Sequence, residues 1–195
     1  MTGSTARQRV VGTISSAGFA GGHRFVVGSW RVTPIGPFCD VMWADPSSHR
    51  TLLASSDEAA GFITSIYDFD EVRTLALSVT SDGRTTRVDS DVLRLWLEGG
   101  RLRPLPLPRP LWFTRYAEAP IARLLMGVHT CGVAPSGARE WYQTTGWRYV
   151  RSGGAVLNGE DLGPPGSPRP PLRVGFSEPP PKPSIVSVRV TIEPA

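Results

Sequence analysis

The stretch GHRFVVGSWRVTPIGPFCDVMWAD, residues 22–45, decides how the chain is read. His23 to Val32 and Phe38 to Ala44 are rich in β-branched and aromatic residues, the composition of a pleated, half-buried surface. Between them Thr33-Pro34-Ile35-Gly36-Pro37 cannot continue a central ladder, because neither proline has an N–H to donate. The chain therefore turns there, and the two runs are predicted to form the walls of one sheet. In the second run Phe38, Asp40, Met42 and Ala44 fall on one face and Cys39, Val41 and Trp43 on the other. Asp40 is the chemically unusual residue, a carboxylate in mid-strand whose burial would demand a partner. Arg24 or Arg31 on the preceding strand is placed to supply one. Asp40 is thus read either as a cavity acid or anchor, or as a structural ion pair or outward-facing carboxylate.

Working outward, Val10 to Ile14 reads as a short strand, and residues 1–9 are polar and expected to fray. Asp45-Pro46-Ser47-Ser48 is a turn, and Arg50 to Ala54 should return as a hairpin partner. Ser55, with Glu58 three residues on, has the form of a capping box. The stripe Ala59, Phe62, Ile63, Ile66 and Tyr67 behind it predicts a helix packed on a sheet. Val72 to Thr80, Thr85 to Asp89 and Val92 to Leu97 read as a three-stranded meander turning at Ser81-Asp82-Gly83.

The alternate prolines of LRPLPLPRPL, residues 102–111, exclude helix and central strand. Trp112 to Met126 is a second helical candidate, kinked at Pro120. Val128 to Val133 and Arg139 to Thr144 flank a turn at Ala134 to Gly137, and Trp147 to Arg151 with Ala155 to Leu157 adds one or two strands. Residues 163–183 form a Pro-rich crossing loop. Beyond it Ser184 to Ile192 alternates as a half-buried strand does, so the loop must be pinned at both ends. The expectation is a single mainly β domain over residues 1–195, an antiparallel β-barrel or cone with two flanking helical segments.

Composition narrows the function classes. The formal net charge is +4, but the basic residues are scattered singly, which argues against nucleic-acid binding. Twenty of the 21 Lys+Arg residues are arginine, a bias expected of a GC-rich bacterium, and Lys182 alone could form a Schiff base. Cys39 and Cys131 lack metal-ligand spacing and read as free thiols, with a disulfide left open. His23, His49 and His129 show no metal-binding spacing, so no metal or cofactor is expected. No run approaches the roughly 20 apolar residues of a membrane span, and the N-terminus lacks a signal-peptide pattern. A cytoplasmic protein that binds neither membrane nor nucleic acid is the expectation. Neither a serine-hydrolase elbow nor a phosphate-binding glycine loop is present.

Gly36-Pro37-Phe38-Cys39-Asp40-Val41 resembles the G-P-Y-x-E strand of the acetoacetate decarboxylase superfamily. In that family the strand precedes a helix, a G-F-P-K turn with the Schiff-base lysine, and a meander, all in an antiparallel β-cone around a small-molecule cavity. The resemblance covers roughly residues 36–97 and rests on the order of elements. It places the turn on Tyr67 to Glu71, where Asp70 or Glu71 stands in the lysine position, and the family's Arg-Glu pair would fall near Thr64-Ser65. Without the lysine there is no imine and no electron sink. What the resemblance implies is the cavity. Gly28-Ser29-Trp30 also resembles the G-x-W signature of lipocalins, which would imply an apolar ligand in a β-barrel.

The reading is a β-barrel binding protein or cofactor-independent enzyme for a small apolar or aromatic molecule. Asp40, Asp70 and Glu71 are the acid/base candidates. Arg24 is the anion anchor, and Trp30, Asp40, Trp43, Tyr67 and Trp141 are the other ligand contacts. The alternative is a structural or interaction module using the Pro-rich loop and exposed aromatics. An enclosed cavity of about 300 Å³ or more lined by Trp and Arg would favour the first, and an exposed apolar patch on a filled barrel the second.

Overall fold

The runs on either side of Thr33–Pro37 form adjacent antiparallel strands, with Gly28 opposite Asp40 and Trp30 opposite Phe38. In the computed structural model, which describes residues 7–104, 131–175 and 177–193, these are β2 (Arg24–Val32) and β3 (Phe38–Ala44). They lie between β1 (Gln8–Gly18) and β4 (Arg50–Ala54). Then come α1 (Asp57–Thr64), β5 (Glu71–Thr74), β6 (Ser78–Ser81), β7 (Thr85–Asp89), β8 (Leu93–Gly99) and the short β9 (Arg103–Pro104). The C-terminal part adds β10 (Cys131–Val133), β11 (Arg139–Leu157), β12 (Glu160–Asp161) and β13 (Ser184–Glu193). The spatial order is β5-β4-β3-β2-β1-β13-β11-β8-β7-β6.

β13 is central, paired with β1 on one side and β11 on the other, which is why its sequence alternates so regularly. β11 joins the two halves of the sheet. Residues up to Tyr149 pair with β13, and from Val150 onward the strand pairs with β8, with register shifts at Thr144/Gly146 and Val150/Ser152. Such bulges bend a strand and increase its twist. The bend folds β8, β7 and β6 back over one face of β1 to β4. Phe25, Val27, Val41, Leu53 and Ile185 pack there against Val88, Leu93, Leu95 and Leu97 in one core.

Five expectations are corrected. The sheet curls as the expected barrel or cone does, but only into a half-barrel whose hydrogen-bonded path stays open and includes one parallel pair. Its ends, β5 and β6, are separated in sequence only by Leu75 to Leu77, and β6 packs against β2 and β3 instead of pairing with β5. The run Val72 to Thr80 is not one meander strand, because its first part pairs with β4, and in parallel. Among the described residues there is one α-helix, not two flanking helical segments; Trp112 to Met126 lies outside them, as does His129. The cap of α1 is Ser56, whose Oγ accepts the Ala59 N–H at 3.1 Å, one residue after the predicted capping position. Gln8 and Arg9 are paired to Ile192 and Thr191 within β1. No helix among the described residues is long and apolar enough to cross a membrane.

Candidate functional site

Because strand side chains alternate, the residues of β1 to β3 that do not enter the core point to the opposite face. Ile14, Val26, Gly28, Trp30, Asp40 and Met42 line a cavity of about 150 Å³ there. β13 contributes Val186 and Val188, and β11 contributes Tyr142, Thr144, Trp147 and Tyr149. Ile63 of α1, Tyr67 just after it, and Leu172, Val174 and Glu178 of the Pro-rich segment close the far side. The volume is half that expected for a drug-sized ligand, but apolar cavities of about 150 Å³ accept molecules the size of benzene.

The Pro-rich segment is therefore a wall of the site. Glu178 holds it in shape by accepting the Leu172 N–H at 3.0 Å and the Arg173 N–H at 2.7 Å. Arg24, 1% exposed, donates to the carbonyls of Pro170 and Asp45. Arg50 reaches the Arg173 carbonyl at 3.0 Å, and Asp68 N–H donates to the Val174 carbonyl at 3.2 Å. Tyr67 lies so close to Gly175 that a Cβ there would come within 2.6 Å of its ring.

Asp40 is 1% exposed. Its Oδ1 accepts the Trp30 indole N–H at 2.7 Å, and no cationic side chain among the described residues is ion-paired with it. Burial pushes its carboxyl up to about 7, with the Trp30 hydrogen bond opposing. Gly28, directly across the ladder, makes room for the pair: a Cβ there would lie 2.3 Å from Asp40 Oδ1 and 2.4 Å from Trp30 Nε1.

A second buried acid stands behind the cavity wall. Glu140, 1% exposed, accepts the Tyr67 hydroxyl at 2.8 Å through Oε1, and Tyr67 shares a short hydrogen bond with Tyr142. The other oxygen of Glu140 is buried without a hydrogen-bond partner. Burial raises this carboxyl to about 7, against the lowering effect of the two tyrosines. Burial also lifts both phenols well above their ordinary value, with neighbours adding to it at Tyr67 and the Tyr67 hydrogen bond partly opposing it at Tyr142, so both hydroxyls stay protonated and can donate. Trp147 Nε1 is likewise buried and without a partner.

The structure brings together Trp30, Asp40 and Tyr67 of the sequence candidates and separates the rest from the cavity. Arg24 does not line the cavity and does not pair with Asp40; its guanidinium is bonded to the backbone carbonyls and to Ser48 Oγ at 3.3 Å. Trp43 packs on the other face of β3, against Phe25, with its indole N–H donated to His23 Nδ1 at 3.1 Å. Trp141 lies beneath the Arg7 guanidinium at 5.9 Å. Asp70 is held by Arg50 at 2.7 Å, which keeps its carboxyl well below the usual range, and Glu71 pairs with Arg73 at 2.8 Å. Lys182 stands over the Tyr149 ring at 5.7 Å. Cys39 and Cys131 are free thiols. Glu140, Tyr142 and Trp147 are not among the sequence candidates; the available signal was that Glu140 and Tyr142, two apart on a strand, share one face.

No family model and no curated protein matches the chain. Among solved structures it is similar to an acetoacetate decarboxylase from Legionella pneumophila, at 9% identity and a TM-score of 0.42, with 97% of this chain and 84% of that chain covered. It is also similar to a putative AttH from Nitrosomonas europaea, at 10% identity and a TM-score of 0.33, with 95% of this chain and 50% of that chain covered. Likeness at this level assigns no ligand, reaction or residue role here.

Proposed function

We propose that this protein binds a small, largely apolar molecule in the cavity between the sheet and the Pro-rich segment, with Asp40 fixing the ligand's polar end. The observation that carries the reading is a buried carboxyl with a single indole partner in the wall of an otherwise mainly apolar cavity. Buried acids of this kind normally have an ionic partner or several hydrogen bonds, and perturbed carboxyls in clefts mark functional sites. A carboxyl titrating near neutrality is also matched to general acid or base work at physiological pH, which supports an enzymatic form of the reading with Asp40 as the proton-transfer group. Asp70 and Glu71 take no part in it, since their ion pairs lie away from the cavity.

The test is titration with benzene, monitored by the indole NMR resonances of Trp30 and Trp147. Saturable shifts at these residues, abolished in a folded Val186→Phe variant that fills the space, are expected. Absence of any shift up to the solubility of benzene refutes a ligand-accessible cavity.

A further inference from the structure

We propose that the ligand of this cavity is a small organic ammonium, held by an aromatic enclosure and by Asp40 as its counter-ion. The inference rests on the cavity reading above and adds the chemical class of the occupant. Five aromatic side chains line the space: Trp30, Tyr67, Tyr142, Trp147 and Tyr149. Their ring faces attract a desolvated cation. No Arg, Lys or His is among the described lining residues, so none of the lining side chains offers a pair to an anion.

The carboxylates around the space are unequal. Glu178 already accepts two backbone amides, and Glu140 is separated from the cavity by the hydroxyl of Tyr67. Among the described acids, Asp40 alone lines the space with only the indole of Trp30 as partner. Below about pH 7 a proton neutralises it in the free protein; an ammonium performs the same neutralisation and replaces the proton. The other groups facing Asp40 do not compete for this role. Trp30 on β2 and the Tyr142 phenol on β11 are neutral, and the Cys39 thiol, its neighbour on β3, is itself pushed up chiefly by burial. Arg103 and Lys182 lie against the Tyr149 ring at 5.0 and 5.7 Å without lining the cavity themselves, which leaves Trp30, Tyr67, Tyr142 and Trp147 as the rings to face a bound cation.

The sign of the pH dependence separates this ligand class from a neutral one. An ammonium requires the ionised carboxyl, so its affinity rises as pH climbs through about 7 and levels off above it. A carbonyl or alcohol that accepts the Asp40 proton shows the reverse. Between about pH 5.5 and about pH 8.5 the ionised fraction of a group titrating near neutrality changes about thirtyfold.

The experiment is calorimetric titration of the full chain with choline and with its neutral carbon isostere, in which the quaternary nitrogen is replaced by carbon. Expected is a preference for choline of about tenfold or more at about pH 8.5, falling as pH is lowered, and much reduced and no longer pH-dependent in Asp40→Asn. Asparagine keeps an acceptor for Trp30, and a melting curve verifies that the variant is folded. Equal binding of the two compounds, or a preference untouched by Asp40→Asn, overturns the ammonium assignment and leaves the cavity reading standing. Binding of neither compound also overturns it, and the benzene titration then decides the cavity separately.

Discussion

Replacing Asp40 with asparagine should stabilise the protein, and by an amount that depends on pH in a defined direction. Moving this carboxyl from its ordinary value of 3.8 to about 7 means that the folded state holds the proton more tightly than the unfolded chain does. Stability linked to that proton is fully present below about pH 3.8 and is lost as pH rises through about 7. Above both values the folded state carries a penalty of about 4 kcal/mol. The asparagine side chain has nothing to ionise, keeps the acceptor for the Trp30 indole, and fills nearly the same volume. The Asp40→Asn variant should match the wild type at about pH 4 and exceed it by up to about 4 kcal/mol at about pH 8. For a chain of this size that is a rise in Tm of about 8 to 16 °C. The Glu140 titration contributes to both proteins and cancels in the difference. Urea melts of both proteins across this range measure it directly, and a difference that does not vary with pH refutes the assignment of Asp40 as a buried, unpaired acid.

Gly28→Ala should disrupt the Trp30–Asp40 hydrogen bond by driving a methyl group between its partners, costing about 1–3 kcal/mol; an unchanged Trp30 indole proton shift would contradict this. Tyr67→Phe removes the donor to Glu140 Oε1 and should cost about 1–3 kcal/mol. The loss should be largest above neutral pH, where the folded-state Glu140 is ionised; a denaturation midpoint equal to wild type at about pH 8 would count against the role of this pair. Glu178→Ala frees the amides of Leu172 and Arg173 and should make the segment 166–183 the first site of limited proteolysis, with a loss of about 2 kcal/mol; cleavage at the same rate as wild type would show that the carboxylate does not hold the wall.

Much of the mainly β fold was legible because alternation and turn chemistry are local. The turn at Thr33–Pro37 and the strand at Ser184–Ile192 both follow from residues within a few positions of one another. What escaped depends on distant pairing. Nothing within Val72 to Thr80 says that its first half joins β4 in parallel while the second half crosses to the far end of the sheet. The face on which the cavity lies was equally hidden, since it depends on β11 bending so that β6 to β8 fill the other side.

The candidate site divides along the same line. Asp40 was visible from its own strand, because an acid flanked by Phe38, Val41, Met42 and Trp43 needs an explanation wherever the strand sits. Neither of the partners expected for it, Arg24 or Arg31, is ion-paired with it: Arg24 reaches the carbonyls of Asp45 and Pro170, and a loop some 146 residues distant from Arg24 in sequence cannot be foreseen from strand periodicity. Glu140 and the hydroxyl chain through Tyr67 likewise span 73 residues. The Pro-rich segment, read as a crossing loop pinned at both ends, is a cavity wall because Leu172 and Val174 turn inward between its prolines.

The most direct test of Asp40 as the buried acid of a ligand cavity is the ¹³C NMR titration of its side-chain carboxyl from about pH 4 to about pH 9, in the free protein and with each probe at saturation. Expected is a midpoint near 7 in the free protein, raised when benzene displaces residual water and lowered when choline supplies a positive charge. A free-protein midpoint in the ordinary carboxylate range, or a curve that neither probe moves, would contradict it.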